Sequence, residues 1–183
     1  MLQNHAHGTF TDFRGIGRSL SHGLIFSRVE ASTKPGASQF SDSPKLDVLL
    51  IPGGAGTRHE VNNVRLVEPV KQLALETPHV ASICTGAAIL ARTGLLDGLK
   101  ATTNKEAFKW ATDQGQKVRW VKQARWVEDG KYFTSSGVSA GIDMSLALIA
   151  KLFGPDSSMY VANAAEYHWN SDPSVDPFAS STT

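Results

Sequence analysis

The stretch Val80–Arg92, VASICTGAAILAR, decides the fold. Its first half is an apolar run ending on Cys84, the only cysteine of the chain, and Thr85-Gly86 opens a second half patterned as a helix. A strand that passes into a helix through so short a turn pushes the side chain at the turn out of the sheet and faces it with the first N–H groups of the helix. Those groups favour a thiolate, the attacking form of cysteine. Cys84 is a candidate nucleophile; the alternative is a small hydrophobe at the buried end of a strand.

Upstream, Leu46–Ile51 (LDVLLI) is nearly continuous in apolar residues and stops at Pro52-Gly53-Gly54, as expected for a parallel strand covered on both faces. Gly54 lets the backbone come close to a ligand, and its N–H together with that of Thr85 is placed to hold a developing negative charge. An ordinary tight turn is the alternative for the glycine pair. Val64–Leu75 has helical spacing, with Pro69 restricting Glu68 and marking a possible helix start. His79–Ile83 is the strand before the cysteine, and Ala87–Ala91 the helix after it, closed by Gly94.

Lys105–Asp113 is a further helix candidate. Arg125–Thr134 alternates on either side of Asp129-Gly130, the signature of a type I′ hairpin. Ser139–Phe153 is a buried helix with Ser139 as N-cap and Gly154-Pro155 as its stop. A last helix is expected from about Ser157 to His168, followed by a polar, mobile tail at 171–183. Before all of these, Leu24–Val29 reads as a strand and Lys34–Pro44 as a connection. Strands alternating with helices predict an α/β sandwich with a mostly parallel central sheet and one hairpin, in a single domain over residues 1–183.

Composition narrows the function. At 183 residues with 41% hydrophobic and 19% charged content, the chain is ordinary for a globular domain. Eighteen basic residues against seventeen acidic ones leave a formal charge of +1, without the footprint of a nucleic-acid or anionic-lipid partner. One cysteine forms no internal disulfide, and no segment reaches the roughly 18 apolar residues that span a bilayer. A cytoplasmic setting is expected. The six histidines show no paired metal spacing, so neither a metal nor another cofactor is expected.

Three ordered stretches, LDVLLIPGGAGTR (46–58), ASICTGAAILARTGLLDGLKATTNKEAFKW (81–110) and RWVEDGKYFTSSGVSAGIDMSLALIAKLFG (125–154), resemble the DJ-1/PfpI superfamily, most closely its isonitrile hydratase-like branch. The similarity runs from about Phe40 to Phe178, and Glu166-Tyr167 followed by Asp176-Pro177-Phe178 is similar to the ending of that branch. The resemblance implies a flavodoxin-like three-layer sandwich, usually a homodimer, acting on a small molecule. It puts Cys84 on a nucleophile elbow, with Gly54 and Thr85 as oxyanion-hole donors and an acidic residue handling protons.

The nearest match to the acidic D-x-x-G segment is Asp12-Phe13-Arg14-Gly15, where an exposed loop aspartate is the competing reading. Gly53, Asn104, Ser136 and Gly137 fall at substrate-side positions of the branch. Asn104, where many relatives carry histidine, is also a candidate cap for the following helix, and Ser135-Ser136-Gly137 is also turn chemistry. Glu166-Tyr167-His168 reverses the H-x-E order of glutamine amidotransferase triads, which argues against that activity. Related regulators append a DNA-binding helix-turn-helix, whereas the expectation here is the stand-alone domain. Residues 1–23 lack the apolar first strand of the superfamily, and this departure predicts impaired turnover, with a redox-sensing or small-molecule-binding member as the alternative.

Overall fold

The computed structural model describes residues 45–180. Asp12, the strand expected at Leu24–Val29, the connection Lys34–Pro44 and the atypical N-terminus lie outside the described residues. Three parallel strands, β1 (Val48–Ile51), β2 (His79–Ile83) and β6 (Tyr132–Ser135), with the antiparallel β5 (Trp126–Asp129), form a sheet in the order β1-β2-β6-β5. A two-stranded parallel ribbon, β3 (Lys100–Ala101) with β4 (Arg119–Trp120), sits beside β5, where Lys100 N–H donates to Asp129 Oδ2 at 2.8 Å.

Strand periodicity explains the apolar run that ends at Ile51. Leu49, Ile51 and Val80 point to one face, where they meet α2 (Val64–Glu76) and α3 (Gly86–Arg92) through Val70, Ala74, Ile89 and Leu90. Val48, Leu50, Ala81 and Phe133 point to the other, against Met144 and Leu148 of α5 (Val138–Phe153). A strand with a helical layer on each side has no solvent face, so polar alternation disappears from it. The remaining helices are α1 (Thr57–Glu60), α4 (Phe108–Thr112) and α6 (Pro155–Ala164). Trp126 is buried and Trp110 and Trp120 pack against the core.

Element boundaries depart from sequence expectation for local reasons. Helix α2 begins before Pro69, because Asn63 takes an extended conformation and accepts from Arg65 N–H at 3.1 Å, capping the helix there. The hairpin has Gly130-Lys131 as its loop, since Asp129 pairs with Tyr132. Of the two, only Gly130 lies at positive φ (62°), the pattern of a II′ rather than a I′ turn. Lys131 reaches out of that loop and donates to the carbonyls of Ala74, Leu75 and Thr77, closing the C-terminal end of α2.

The helix expected at Lys105–Asp113 shrinks to α4, because residues 105–107 form a turn held by the Asn104 side chain. Helix α5 starts at Gly137, not Ser139, whose hydroxyl accepts from the Arg125 guanidinium at 3.2 Å instead of capping. Helix α6 opens at Pro155, directly after Gly154, and is over by Ala165, where Glu166 takes a left-handed φ of 50°.

Two buried ion pairs bind the end of the chain to the sheet. Arg125, just before β5, bonds Asp143 of α5 at 2.5 Å; Asp143 in turn accepts from the Asn170 N–H at 2.9 Å. Lys105 lies 3.4 Å from Asp176 and donates to Thr102 Oγ1 (2.8 Å), to the Ala124 carbonyl (3.0 Å) and to the Thr103 carbonyl (3.3 Å). Arg125 N–H also donates to the Pro173 carbonyl at 2.7 Å. The polar segment after Ser171 is therefore laid across Gln123 and Arg125 rather than detached.

Two glycines let the ends of β1 and β2 touch backbone to backbone. A Cβ on Gly86 would lie 2.3 Å from the Ile51 carbonyl oxygen, and one on Gly53 would lie 2.7 Å from both the Ile83 oxygen and the Thr85 nitrogen. Main chain cannot swing aside as a side-chain tip can, so Gly86→Ala is expected to cost about 1–3 kcal/mol or more in urea denaturation.

Lys105→Met strands the Asp176 charge and is expected to cost about 3–5 kcal/mol, most of it recovered in the Lys105→Met/Asp176→Leu double variant. Burial pulls the Lys105 pKa below its ordinary 10.5, with Asp176 opposing. The folded chain then releases this proton at a lower pH than the unfolded chain does. Stability contributed at Lys105 rises with pH between the folded value and 10.5, and denaturation curves of the Lys105→Met variant should lack that rise.

Candidate active site

Cys84 occupies the turn between β2 and α3 with φ 56°, a left-handed conformation that costs a residue with a Cβ about 1–2 kcal/mol. Its surroundings enforce it. Cys84 N–H donates to the Ser135 carbonyl at the end of β6 (3.1 Å), and its carbonyl accepts from Thr103 Oγ1 (3.0 Å) and from Ala87 N–H (3.4 Å). Gly53 closes the turn from the side of β1. The thiol is free and partly exposed, and Sγ makes no hydrogen bond to a described residue.

On the β1 side, Gly54 adopts φ 127°, open to glycine alone. Its N–H donates to Thr85 Oγ1 at 2.9 Å, while the Thr85 N–H finds no acceptor among the described residues. The two expected oxyanion donors are thus neighbours, but the Gly54 amide is turned to the Thr85 hydroxyl. It can serve an incoming oxyanion only by exchanging that partner. Gly53, expected on the substrate side, packs against the elbow itself.

Asn104, Ser136 and Gly137 come together on the opposite flank. They share the lining of a cleft of about 270 Å³ with Lys105, Arg125 and Ser139. Asn104 Oδ1 accepts from Ala107 N–H at 3.0 Å, bracing the turn before α4 rather than capping a helix at Lys105, which leaves Nδ2 on the side of Gly137. Ser136 N–H donates to the Arg125 carbonyl at 2.9 Å. The cleft starts one residue beyond Ser135 and Thr103, the two residues that hold the Cys84 backbone; Cys84 is not part of its lining.

Sequence reasoning missed Thr103, Arg125, Asp143 and Asp176. Thr103 carried a faint signal, being the second threonine of Ala-Thr-Thr-Asn beside the singled-out Asn104. Arg125 and Asp143 are 18 positions apart, and only the fold joins them. Burial works against the Arg125 cation, but the hydrogen bond and charge of Asp143 outweigh it and hold its pKa above the ordinary value. Among the described residues, no group of three or more His, Cys, Asp and Glu side chains is arranged to hold a metal ion. No helix among them is long and apolar enough to cross a membrane.

The family model for the DJ-1/PfpI family matches residues 27–151. Isonitrile hydratase of Pseudomonas putida is 37% identical over 143 residues, covering 78% of this chain and 61% of that protein. The HTH-type transcriptional regulator CdhR of Pseudomonas aeruginosa is 36% identical over 97 residues, which is 53% of this chain and 29% of the regulator. Among solved structures, a ThiJ/PfpI family protein from Pseudomonas syringae superimposes with a TM-score of 0.64 at 28% identity, covering 72% of this chain and 54% of that one. The chain thus spans less than two thirds of the length of these relatives. A left-handed cysteine between a parallel strand and a helix, in a sheet covered on both faces, agrees with the sequence match over most of the chain: this protein belongs to the DJ-1/PfpI family.

Proposed function

We propose that this protein is a cysteine-dependent lyase of the isonitrile hydratase type, adding water to a small electrophile through a covalent adduct on Cys84. The observation that carries the proposal is the Cys84 elbow, where a strained turn is held from three directions and presents an unbonded thiol beside a helix N-terminus. A strained residue whose surroundings over-determine it is a common mark of a functional position. The 37% identity to an isonitrile hydratase supports this chemistry within the family.

In this reading the Cys84 thiolate attacks the terminal carbon of R–NC, and Asp12 delivers a proton to that carbon, giving the thioimidate R–N=CH–S–Cys. Water then adds to the same carbon, one of its protons passing to the Asp12 carboxylate and the nitrogen gaining one. Collapse of the tetrahedral adduct expels the thiolate and releases R–NH–CHO. The Thr85 N–H, and Gly54 N–H once released from Thr85 Oγ1, would hold negative charge on the adduct oxygen. Gly53, Asn104, Ser136 and Gly137 complete the substrate side. No cofactor, nucleic acid or membrane enters this scheme, and the setting is cytoplasmic. The proposed assembly is a homodimer, for which Val138, Ile142, Phe153 and Tyr160 supply exposed apolar surface on α5 and α6.

One observation favours a second reading, a catalytically impaired redox-sensing or small-molecule-binding member. The Gly54 amide is occupied by Thr85 Oγ1, so the oxyanion site is only half free.

Formamide production from a small alkyl isonitrile, followed by NMR, separates the two. Cys84→Ser is expected to reduce turnover by about 10³-fold or more, and Asp12→Asn by about 10²–10⁴-fold. Full turnover in Cys84→Ser would refute the nucleophile, and absence of turnover in the unmodified protein would leave the sensor or binding reading.

A further inference from the structure

We propose that the start of α5, together with Ser136 and Asn104, is a subsite for a carboxylate carried by the substrate. The proposal rests on the reading of Cys84 as nucleophile and adds to it the chemical class of the molecule that Cys84 attacks: a small electrophile bearing an anionic group.

Helix α5 is 16 residues long and begins after Gly137, which has no side chain to cap it. The first intrahelical bond runs from Gly141 N–H to the Gly137 carbonyl, so the N–H groups of Val138, Ser139 and Ala140 have no protein acceptor among the described residues. Such an end carries a partial positive charge and points free donors outward.

A second, independent feature points to a ligand. Ser136 is only 3% exposed and lines the cleft, and its hydroxyl makes no hydrogen bond to a described residue. An acceptor bound in the cleft would give that hydroxyl a protein-held partner. The Asn104 amide adds donors: Oδ1 is taken by Ala107 N–H, and Nδ2 lies 3.9 Å from where a Cβ on Gly137 would sit.

The formal charges of the cleft nearly balance. Arg125 and Lys105 both line the cleft, with Asp143 and Asp176 as their buried partners, so these four cancel in formal charge. Glu106 is the remaining carboxylate of the lining; it is exposed, where water and salt screen it. Position completes the case. A Cβ on Gly141, in the first turn of α5, would lie 2.7 Å from Ile83 Cγ2, and Ser135, the residue before Ser136, holds the Cys84 N–H. The subsite therefore lies beside the backbone of the Cys84 turn.

The test compares inactivation of Cys84 by N-iodoacetylglycine with that by N-iodoacetylglycinamide, reagents differing in one charge, each rate normalised to that of glutathione. The acid is expected to be preferred by about tenfold. The preference should fall toward one in Ser136→Ala and in Val138→Pro, which deletes a donor where proline suits the helix, and should rise in Glu106→Gln. A normalised ratio of one in the unmodified protein would overturn the subsite.

Inertness of Cys84 to both reagents would defeat the nucleophile reading instead, and an acetate titration followed by amide NMR then decides the subsite by itself. Saturable shifts at Ser136, Val138, Ser139 and Ala140 support it, and unmoved resonances there overturn it.

Discussion

Where β1 and β2 end, two turns of main chain press against each other with no side chain between them, Gly53 against Ile83 and Thr85, Gly86 against Ile51 and Pro52. That contact fixes the direction in which the chain leaves β2, and so forces Cys84 into its left-handed conformation. Bonds to Ser135 and Thr103 hold the same turn from β6 and from the segment after β3. Three separate parts of the chain thus define one residue, and the strain there is tolerable because core packing on both faces of the sheet stabilises the arrangement as a whole.

The buried charges extend this control outward. Lys105 grips the Thr102–Thr103 segment whose side chain braces Cys84, and also anchors Asp176 near the end of the chain. Arg125 does the equivalent between β5, α5 and the segment after α6. An ion pair of this kind adds little net stability, since desolvation offsets its attraction, but removal of one partner is costly. Its contribution is to specify geometry. The cleft between the two pairs inherits its shape from them, and the shared lining by Lys105 and Arg125 is the physical link between the docked C-terminal segment and the site.

The layered fold was legible because burial on two faces leaves a mark on composition. LDVLLI and HVASI have few polar positions, and the helices that cover them carry their apolar residues on one side. The elbow was legible for a related reason, as an apolar strand running into Cys-Thr-Gly leaves few ways to turn. Cap positions were less readable. Ser139 has the right chemistry for an N-cap, but Arg125 claims its hydroxyl, and Asn63 sets the start of α2 ahead of Pro69. In each case a side chain with two available partners was assigned by a neighbour remote in sequence or by a conformation that local pattern does not encode.

The sequence by itself determined the alternation of the main strands and helices, the family, and Cys84 as the candidate nucleophile, since hydrophobic periodicity and glycine placement are local properties. Only the tertiary structure decided that Gly54 N–H faces the Thr85 hydroxyl, that Arg125 meets Asp143 and Lys105 meets Asp176, contacts between segments 18 to 71 positions apart, and that Ser136 is buried beside the bare start of α5. Their existence depends on how two layers of helix settle on one sheet, and no pattern within any single segment records that.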